Sequence, residues 1–508
     1  MAKVQFTESM AIELAKSHRV IPLIETLFSG TETPMSIFEK LAADRAGSFL
    51  LESAQHGVWA RYSFIGVNNR GLLTQDSNGT VKWQSSANQS PLANGSFDLS
   101  ISALDAVAQI QKSWNSVSVG ELPPLTSGLV GVMGWDLIRE IEELPQARKK
   151  DFPSPILALA MFRDLVIVDH ETNCVLLVSN IFAADGEDVS QLYSEAIKHI
   201  DEMRAKLLEP INSVIADVNF NTDFSARHAT ERIDFLESIE KAKQYVRIGD
   251  VFQVVLSQRF DIATKASPLD TYRVLRALNP SPYMYLLNFE DDQGEYAVVG
   301  SSPEALVSVN NGKATTHPIA GSRPRGTTHE DDQKMEADLL ADNKEKSEHL
   351  MLVDLARNDL LKVCEPNSVT VTEFMQVHKF SHIMHLVSTV EGRVAKDCTP
   401  IDVFKATFPA GTLSGAPKPR ALQIIDELES SNRGIFGGVV GYFDFAGNAD
   451  LAIAIRTAFI RDGVAHVQAG AGIVLDSVPE TEFEETLAKA GAPLRAIAAA
   501  NAMVRLAN

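Results

Sequence analysis

Apolar residues recur along this chain at two spacings, and the switches between them mark its elements. A helical stripe follows Thr7, a short extended run covers His18 to Leu23, and a second helical stripe covers Pro34 to Ala42. β-rich runs then appear at Phe49 to Ser53 and Tyr62 to Val67 and read as strands, with Glu52 and Ser53 at the end of an otherwise apolar run. Ile101 to Trp114 reads as a helix, and Gly128 to Trp135 as a glycine-spaced strand running into another helix. Leu157 to Asn180 reads as two strands around a turn at Asp169 to Asn173, and Val189 to Leu208 as a helix stopped by Pro210. From Asn212 to Ala229 the sequence is polar and aperiodic, which divides the chain into an N-terminal region 1–211 and a C-terminal region 228–508.

The second region starts with a helix, Ile233 to Ile248, and a strand, VFQVVLSQRF, whose apolar run is interrupted by Gln253. A buried Gln needs only a hydrogen-bond partner, so this position is read as packed unless other features converge on it. A helix from Thr271 to Leu278 stops at NPSPYM, and strands follow at Tyr285 to Phe289 and Ala297 to Val299. The last third predicts an antiparallel meander of Ile435 to Phe443, Leu451 to Ile460 and Val464 to Leu475, its final turn set by Asp462-Gly463. In the middle strand Ala452, Ala454, Arg456 and Ala458 are expected on one face. A long cation among alanines leaves space for a carboxylate ligand or for a buried ion pair.

Candidate chemistry concentrates in two stretches. In QAGAGIVLDSVPETEFEETLAK, Gly470 and Gly472 flank Ala471 where backbone can approach a ligand, and Glu482, Glu485 and Lys489 share one helical face. In DNKEKSEHLMLVDLARNDL, Glu345 and Glu348 repeat the three-residue spacing near a helix start. Either these are solvated first turns favoured by the helix dipole, or two helices present carboxylates to one oxygen-preferring cation such as Mg²⁺. Glu52 and Ser53 close a strand, where a charge is ordinarily solvated. His378, His382 and His385 lie near or in a strand starting at Ile383, where His382 and His385 take opposite faces and a shared metal is disfavoured.

Bulk properties narrow the classes. The chain has 508 residues and a net charge of −20, which disfavours nucleic acid and anionic membranes; basic runs are short, such as Arg148-Lys149-Lys150. Three cysteines, Cys174, Cys364 and Cys398, without CxxC spacing argue against a disulfide framework and for a reducing compartment, the cytoplasm. No signal peptide or membrane-spanning run is evident.

Taken in order, KEKSEHLMLVDLARNDL, PIAGSRPRG, FPAGTLSGAPK, GIFGGVVGYF and QAGAGIVLDSVPETEFEETLAK resemble the chorismate-utilising enzymes, most specifically the anthranilate synthase component I family. LLES at Leu50 to Ser53 and NPSPYM at Asn279 to Met284 extend that resemblance into the first region. It implies an α+β fold of two packed antiparallel β-sheets flanked by outer helices. It also implies Mg²⁺-dependent conversion of chorismate and ammonia to anthranilate and pyruvate. By position, Glu348 and Glu485 match metal ligands, with Glu345 and Glu482 beside them. Gln253, Gly321, Ser322, Phe436, Arg456, Gly470, Ala471, Gly472 and Lys489 match substrate-site positions. Glu304 matches the residue that protonates the departing hydroxyl, and His385 and Thr412 match residues of the later steps.

Within the group, isochorismate and salicylate synthases resemble one another in a lysine where this chain has Gln253, and aminodeoxychorismate synthases carry lysine where it has Ala320. Both positions favour the anthranilate-forming branch. Glu52, Ser53, Pro282, Tyr283 and Met284 match a feedback site for L-tryptophan. Phe436 stands where the family commonly has Tyr, and Ser322 where it has Thr. No Gly-x-Cys-x-Gly elbow is present, so the resemblance implies a separate glutamine amidotransferase subunit in a hetero-oligomer, such as a heterotetramer. The alternatives are aminodeoxychorismate synthase component I and a non-catalytic tryptophan-binding regulator.

Overall fold

The structure is a computed structural model that describes residues 4–506 apart from 44, 55–60, 77–78, 86–88, 118–121, 146–150, 211–214 and 380–382. Arg148-Lys149-Lys150, His382 and the start of the polar segment at Asn212 lie outside the described residues. Helix and strand alternate through the chain, and among the described residues 21 strands join one hydrogen-bonded network. Two long strands, Tyr62–Gln75 and Leu157–Asp169, turn that network into two layers.

Alternation along Leu157–Asp169 shows how. Leu157, Leu159 and Met161 enter one apolar cluster, while Ala158, Ala160 and Phe162 enter another. After Arg163 and Asp164 the second face continues with Leu165 and Ile167, but Val166 and Val168 enter a third cluster. The strand bends there, opposite the register shifts between Gly66 and Gly71. Asp164 is buried at the bend, and Asn68 Nδ2 and Ser179 Oγ each donate to it at 2.7 Å, which compensates its lost hydration. The first half of the strand pairs with Gly128–Met133 and the second with Cys174–Phe182.

One sheet therefore runs on through Gly128–Met133, Val439–Asp444, Ala449–Ile453, Ala305–Asn310 and Lys313–Thr316 to Ile383–Arg393. The other runs through Ser48–Glu52, Tyr283–Asp291, Gly294–Ser302, Thr457–Arg461 and Val464–Ile473 to Gln253–Ala263. Phe49, Phe162, Tyr285 and Phe459 meet Val130 and Val440 between the layers. Outer helices cover the remaining faces, among them Ala103–Ser113 on the first sheet and Pro268–Leu278, Pro479–Ala502 and Lys418–Leu428 on the second, the last against Gln253–Ala263. The polar segment after Asn212 does not separate the sheets. Ser48–Glu52 pairs with Tyr283–Asp291, and Gly128–Met133 with Val439–Asp444, so backbone ladders join residues from either side of it.

The expected single strand Leu451 to Ile460 is corrected to two. Ala449–Ile453 lies in the first sheet and Thr457–Arg461 in the second. The chain crosses at Ala454 to Arg456, where Arg456 takes φ +52. Arg456 thus does not share a strand face with Ala452 and Ala458. Glu304 sits at a second crossing, between Gly294–Ser302 and Ala305–Asn310. The two crossings hold each other: Ile453 N donates to Glu304 O at 2.9 Å and Ser301 N to Arg456 O at 3.2 Å.

Candidate active site

Both crossings open onto a cavity of about 450 Å³, which adjoins another of about 470 Å³ across Ala320, Gly321, Thr412, Gly470 and Lys489. The Glu304 carboxyl is enclosed in the wall of the first, and Thr412 Oγ1 donates to its Oε1 at 3.0 Å. Desolvation lifts its pKa to about 7, against the Thr412 hydrogen bond and the charge of Lys489. Near neutrality a large fraction of Glu304 is therefore a proton donor.

Arg456 lines the same cavity. Burial lowers its pKa, and Glu485 is the charge that opposes this. The guanidinium is not spent on a structural ion pair among the described residues, which leaves it for an anionic ligand. His385 and Gly321 are tied together, with Nδ1 3.0 Å from the Gly321 carbonyl, and burial lowers the imidazole's pKa so that it is neutral at pH 7. Gly321 takes φ +70, and a Cβ there would meet Glu345 Oε2 at 3.1 Å, so a side chain would strain the backbone and crowd that carboxylate. Ser322, Glu345 and Phe436 complete this part of the wall.

The strand Val464–Ile473 is paired along its full length with Gln253–Ala263, but its other edge has a strand partner only as far as Val467. Gly470 and Gly472 face the cavities from that open edge, and Lys489 Nζ donates to Gly470 O at 3.0 Å. The Ala471 side chain points to the opposite face and is fully buried in the core, which leaves its backbone as the part that can serve the site.

Glu348 from helix Asn343–Leu361 and Glu482 and Glu485 from helix Pro479–Ala502 line the second cavity with Gln253. Glu348 and Glu482 are partly buried, and burial raises the pKa of each, whereas Glu485 is exposed and pairs with Lys489 at 2.6 Å as a solvated i,i+4 surface pair would. Among the described residues no group of three or more acidic, histidine or cysteine side chains is placed to hold a metal ion by itself. The donor set is carboxylate oxygen from two helices with room between, which fits a hard cation that keeps several waters and shares its shell with a substrate anion.

A third cavity, of about 620 Å³, lies against the inner ends of the strands and contains Glu52, Ser53, Pro282, Tyr283 and Met284. Glu52 is not solvated as a strand-end charge would be. It is buried, accepting from Tyr272 Oη at 2.5 Å and from Arg276 Nε at 2.6 Å. Tyr283 Oη donates to Asp450 at 3.1 Å, and burial raises that carboxyl's pKa to about 6. Val440, Tyr442 and Asp450 were not foreseen here, because they reach the cavity only through the pairing of distant strands. Gln468 and Asn279 to Ser281 were likewise missed in the first cavity. Gln468 was within reach of sequence reasoning, being two residues before Gly470 on the same strand face.

Two packed antiparallel sheets holding a desolvated carboxyl and a partly buried arginine, with carboxylates from two flanking helices beside them, make a site suited to an anionic substrate. The chain belongs to the chorismate binding enzyme family, whose profile matches residues 48–495. It is 47% identical over 493 residues to the anthranilate synthase component 1 of Mycolicibacterium smegmatis, covering 96% of this chain and 92% of that one. It is 44% identical to the protein of the same name from Aquifex aeolicus, with 96% of each covered. The crystal structure of anthranilate synthase component I from Streptococcus pneumoniae superposes with TM-score 0.72 at 33% identity, covering 92% of this chain and 99% of that one. The menaquinone-specific isochorismate synthase of Escherichia coli shares the fold, with TM-score 0.67 at 17% identity over 96% and 98% of the two chains.

Proposed function

We propose that this chain is the aminase component of an anthranilate synthase, converting chorismate and ammonia to anthranilate and pyruvate in tryptophan biosynthesis. The observation that carries the reading is Glu304, a carboxyl with pKa about 7 in the wall of the same cavity as the partly buried Arg456. Arg456 grips a substrate carboxylate, and the Gly470 and Gly472 backbone and Lys489 hold the ring beside it. Glu304 gives its proton to the ring hydroxyl as the C–O bond breaks, so that water leaves and the nitrogen of ammonia bonds to the ring. Loss of a ring proton and of the enolpyruvyl group as pyruvate then makes the ring aromatic, and the neutral His385 serves that second step. Thr412 keeps the Glu304 carboxyl aimed.

Glu348 and Glu485 would hold Mg²⁺, which supplies positive charge for the ring carboxylate, and Glu345 and Glu482 would orient its waters. Ammonia carries its own lone pair, so an amide at Gln253 suffices where water-using relatives carry a lysine base, and Ala320 stands where aminodeoxychorismate synthases carry lysine. Neither these positions nor the NPSPYM segment favours aminodeoxychorismate synthesis. Region 1–211, with the third cavity, is read as the regulatory part that binds L-tryptophan, and region 228–508 as the catalytic part. The name component 1 carried by the relatives supports a partner, read here as a glutamine amidotransferase in a cytoplasmic hetero-oligomer. Among the described residues no helix is long and apolar enough to cross a membrane.

Anthranilate fluorescence from the purified chain with chorismate, Mg²⁺ and an ammonium salt tests the reading. Product that needs Mg²⁺ and falls with tryptophan supports it; a different chorismate product moves the chain to a sister activity. Glu348→Gln and Glu485→Gln are each expected to weaken Mg²⁺ binding roughly 10- to 100-fold by calorimetry.

A further inference from the structure

Behind Glu304 lies a smaller cavity of about 70 Å³, and Glu304 and Thr412 line both it and the larger one. The carboxyl therefore stands in a wall between two spaces. Thr316, His317 and Asp359 are polar groups of the small cavity. Thr316 Oγ1 is buried with no hydrogen-bond partner among the described residues, and such a hydroxyl is ordinarily satisfied by water. At roughly 30 Å³ per molecule the space holds about two waters. From His317 a chain of polar groups leads outward. Its Nδ1 lies 3.2 Å from Thr389 Oγ1, which lies 3.0 Å from Glu373 Oε2, and the half-exposed Glu373 pairs with His378 Nε2 at 3.4 Å. Glu373 and His378 stand on the strand Thr370–Lys379, whose alternate residues face solvent.

We propose that His317 relays protons from the surface pair Glu373 and His378, through Thr389 and water in the small cavity, to the Glu304 carboxylate between turnovers. The inference rests on reading Glu304 as the acid that protonates the departing hydroxyl. Once that proton is given, Glu304 is a carboxylate and the aminated ring occupies the larger cavity, so solvent reaches the carboxylate from behind. A proton held on Glu373 passes to Thr389 Oγ1 as Thr389 gives its own to His317 Nδ1. Nε2 releases a proton to cavity water, and that water gives one to Glu304. Glu304 gains one proton, and the surface pair loses one that solvent replaces.

Such a relay needs a neutral imidazole that accepts at one nitrogen and donates from the other. Burial lowers the His317 pKa, and the charged groups acting on the ring are Glu373, Glu391 and His378. Asp359, on the wall formed by helix Asn343–Leu361, is paired with Lys362 at 2.9 Å and Lys418 at 3.3 Å.

Rapid mixing of the full chain with chorismate, Mg²⁺ and an ammonium salt, followed by anthranilate fluorescence, tests the relay in His317→Phe and Thr389→Val. Each is expected to complete its first turnover at the wild-type rate on the proton already on Glu304, then to run roughly tenfold slower in the steady state. Added imidazole is expected to restore part of the steady-state rate in His317→Ala. A loss shared equally by the first and later turnovers, or a steady-state rate within about twofold of wild type, overturns the relay. A wild-type chain that makes no anthranilate overturns the reading of Glu304 itself, and the relay with it.

Discussion

As the proposed acid, Glu304 has to be neutral at a pH where exposed carboxyls are ionised, and that demand has a thermodynamic signature. The unfolded chain ionises this carboxyl near 4.5 and the fold near 7, so the fold binds the proton more tightly between those values. Stability carried by that proton is fully present below pH 4.5 and is lost as pH rises through 7, by at most roughly 3 kcal/mol. Glu304→Gln removes the ionisation and keeps the shape. It is expected to melt above wild type at pH 8, with the two converging near pH 5, while kcat falls roughly 10²- to 10⁴-fold. Equal melting at pH 8 would show that the carboxyl is not desolvated. The position of Glu304 was legible only through its motif, since burial of one carboxyl at a crossing between sheets leaves no local pattern. Lys489 and Glu485 were legible directly, because helical spacing places them on one face.

On the strand Val464–Ile473 two glycines with similar surroundings in sequence have different jobs in the structure. A Cβ at Gly472 would lie 2.3 Å from Gln253 Nε2, the free-swinging end of a side chain. Gly472→Ala is therefore expected to fold normally and to displace that amide within the cavity, raising the KM for chorismate roughly tenfold. A Cβ at Gly470 would lie 3.0 Å from Leu256 O and 3.2 Å from Ser257 Cβ, both on the paired strand. Gly470→Ala is expected to strain that ladder and cost about 1–3 kcal/mol, read as a fall in melting temperature. If both variants changed only KM, the ladder would be looser than this packing implies. Element type was readable from period for the long helices and the hairpin at Asp462-Gly463, where Asp462 takes φ +51 as such a turn needs. The break at Arg456 was not readable: Leu451 to Ile460 alternates without interruption, and only the choice of partner strands divides it.

Across the whole molecule, which strand lies beside which depends on contacts far apart in sequence, and period alone is silent on them. The two-layer architecture came from motif resemblance, and the bend at Arg163 and Asp164 that creates it had no forecast. That architecture bears directly on regulation. Asn279, Pro280 and Ser281 line the cavity of Glu304, whereas the next three residues, Pro282, Tyr283 and Met284, line the third cavity. Ala452 lines the third cavity as well, four residues before Arg456 in the first. Two short segments thus touch both spaces, and they are the direct path by which a ligand at Pro282 to Met284 would act on the wall around Glu304. If L-tryptophan fills the third cavity and opposes chorismate, linkage requires the opposition to be mutual. The factor by which saturating tryptophan raises the chorismate Kd is expected to equal the factor by which saturating chorismate raises the tryptophan Kd, on the order of 5- to 150-fold. Calorimetric titrations of Glu304→Gln, whose turnover is expected to be slowed roughly 10²- to 10⁴-fold, measure both factors. Tryptophan binding that leaves the chorismate Kd unchanged would mean that the two segments do not couple the cavities.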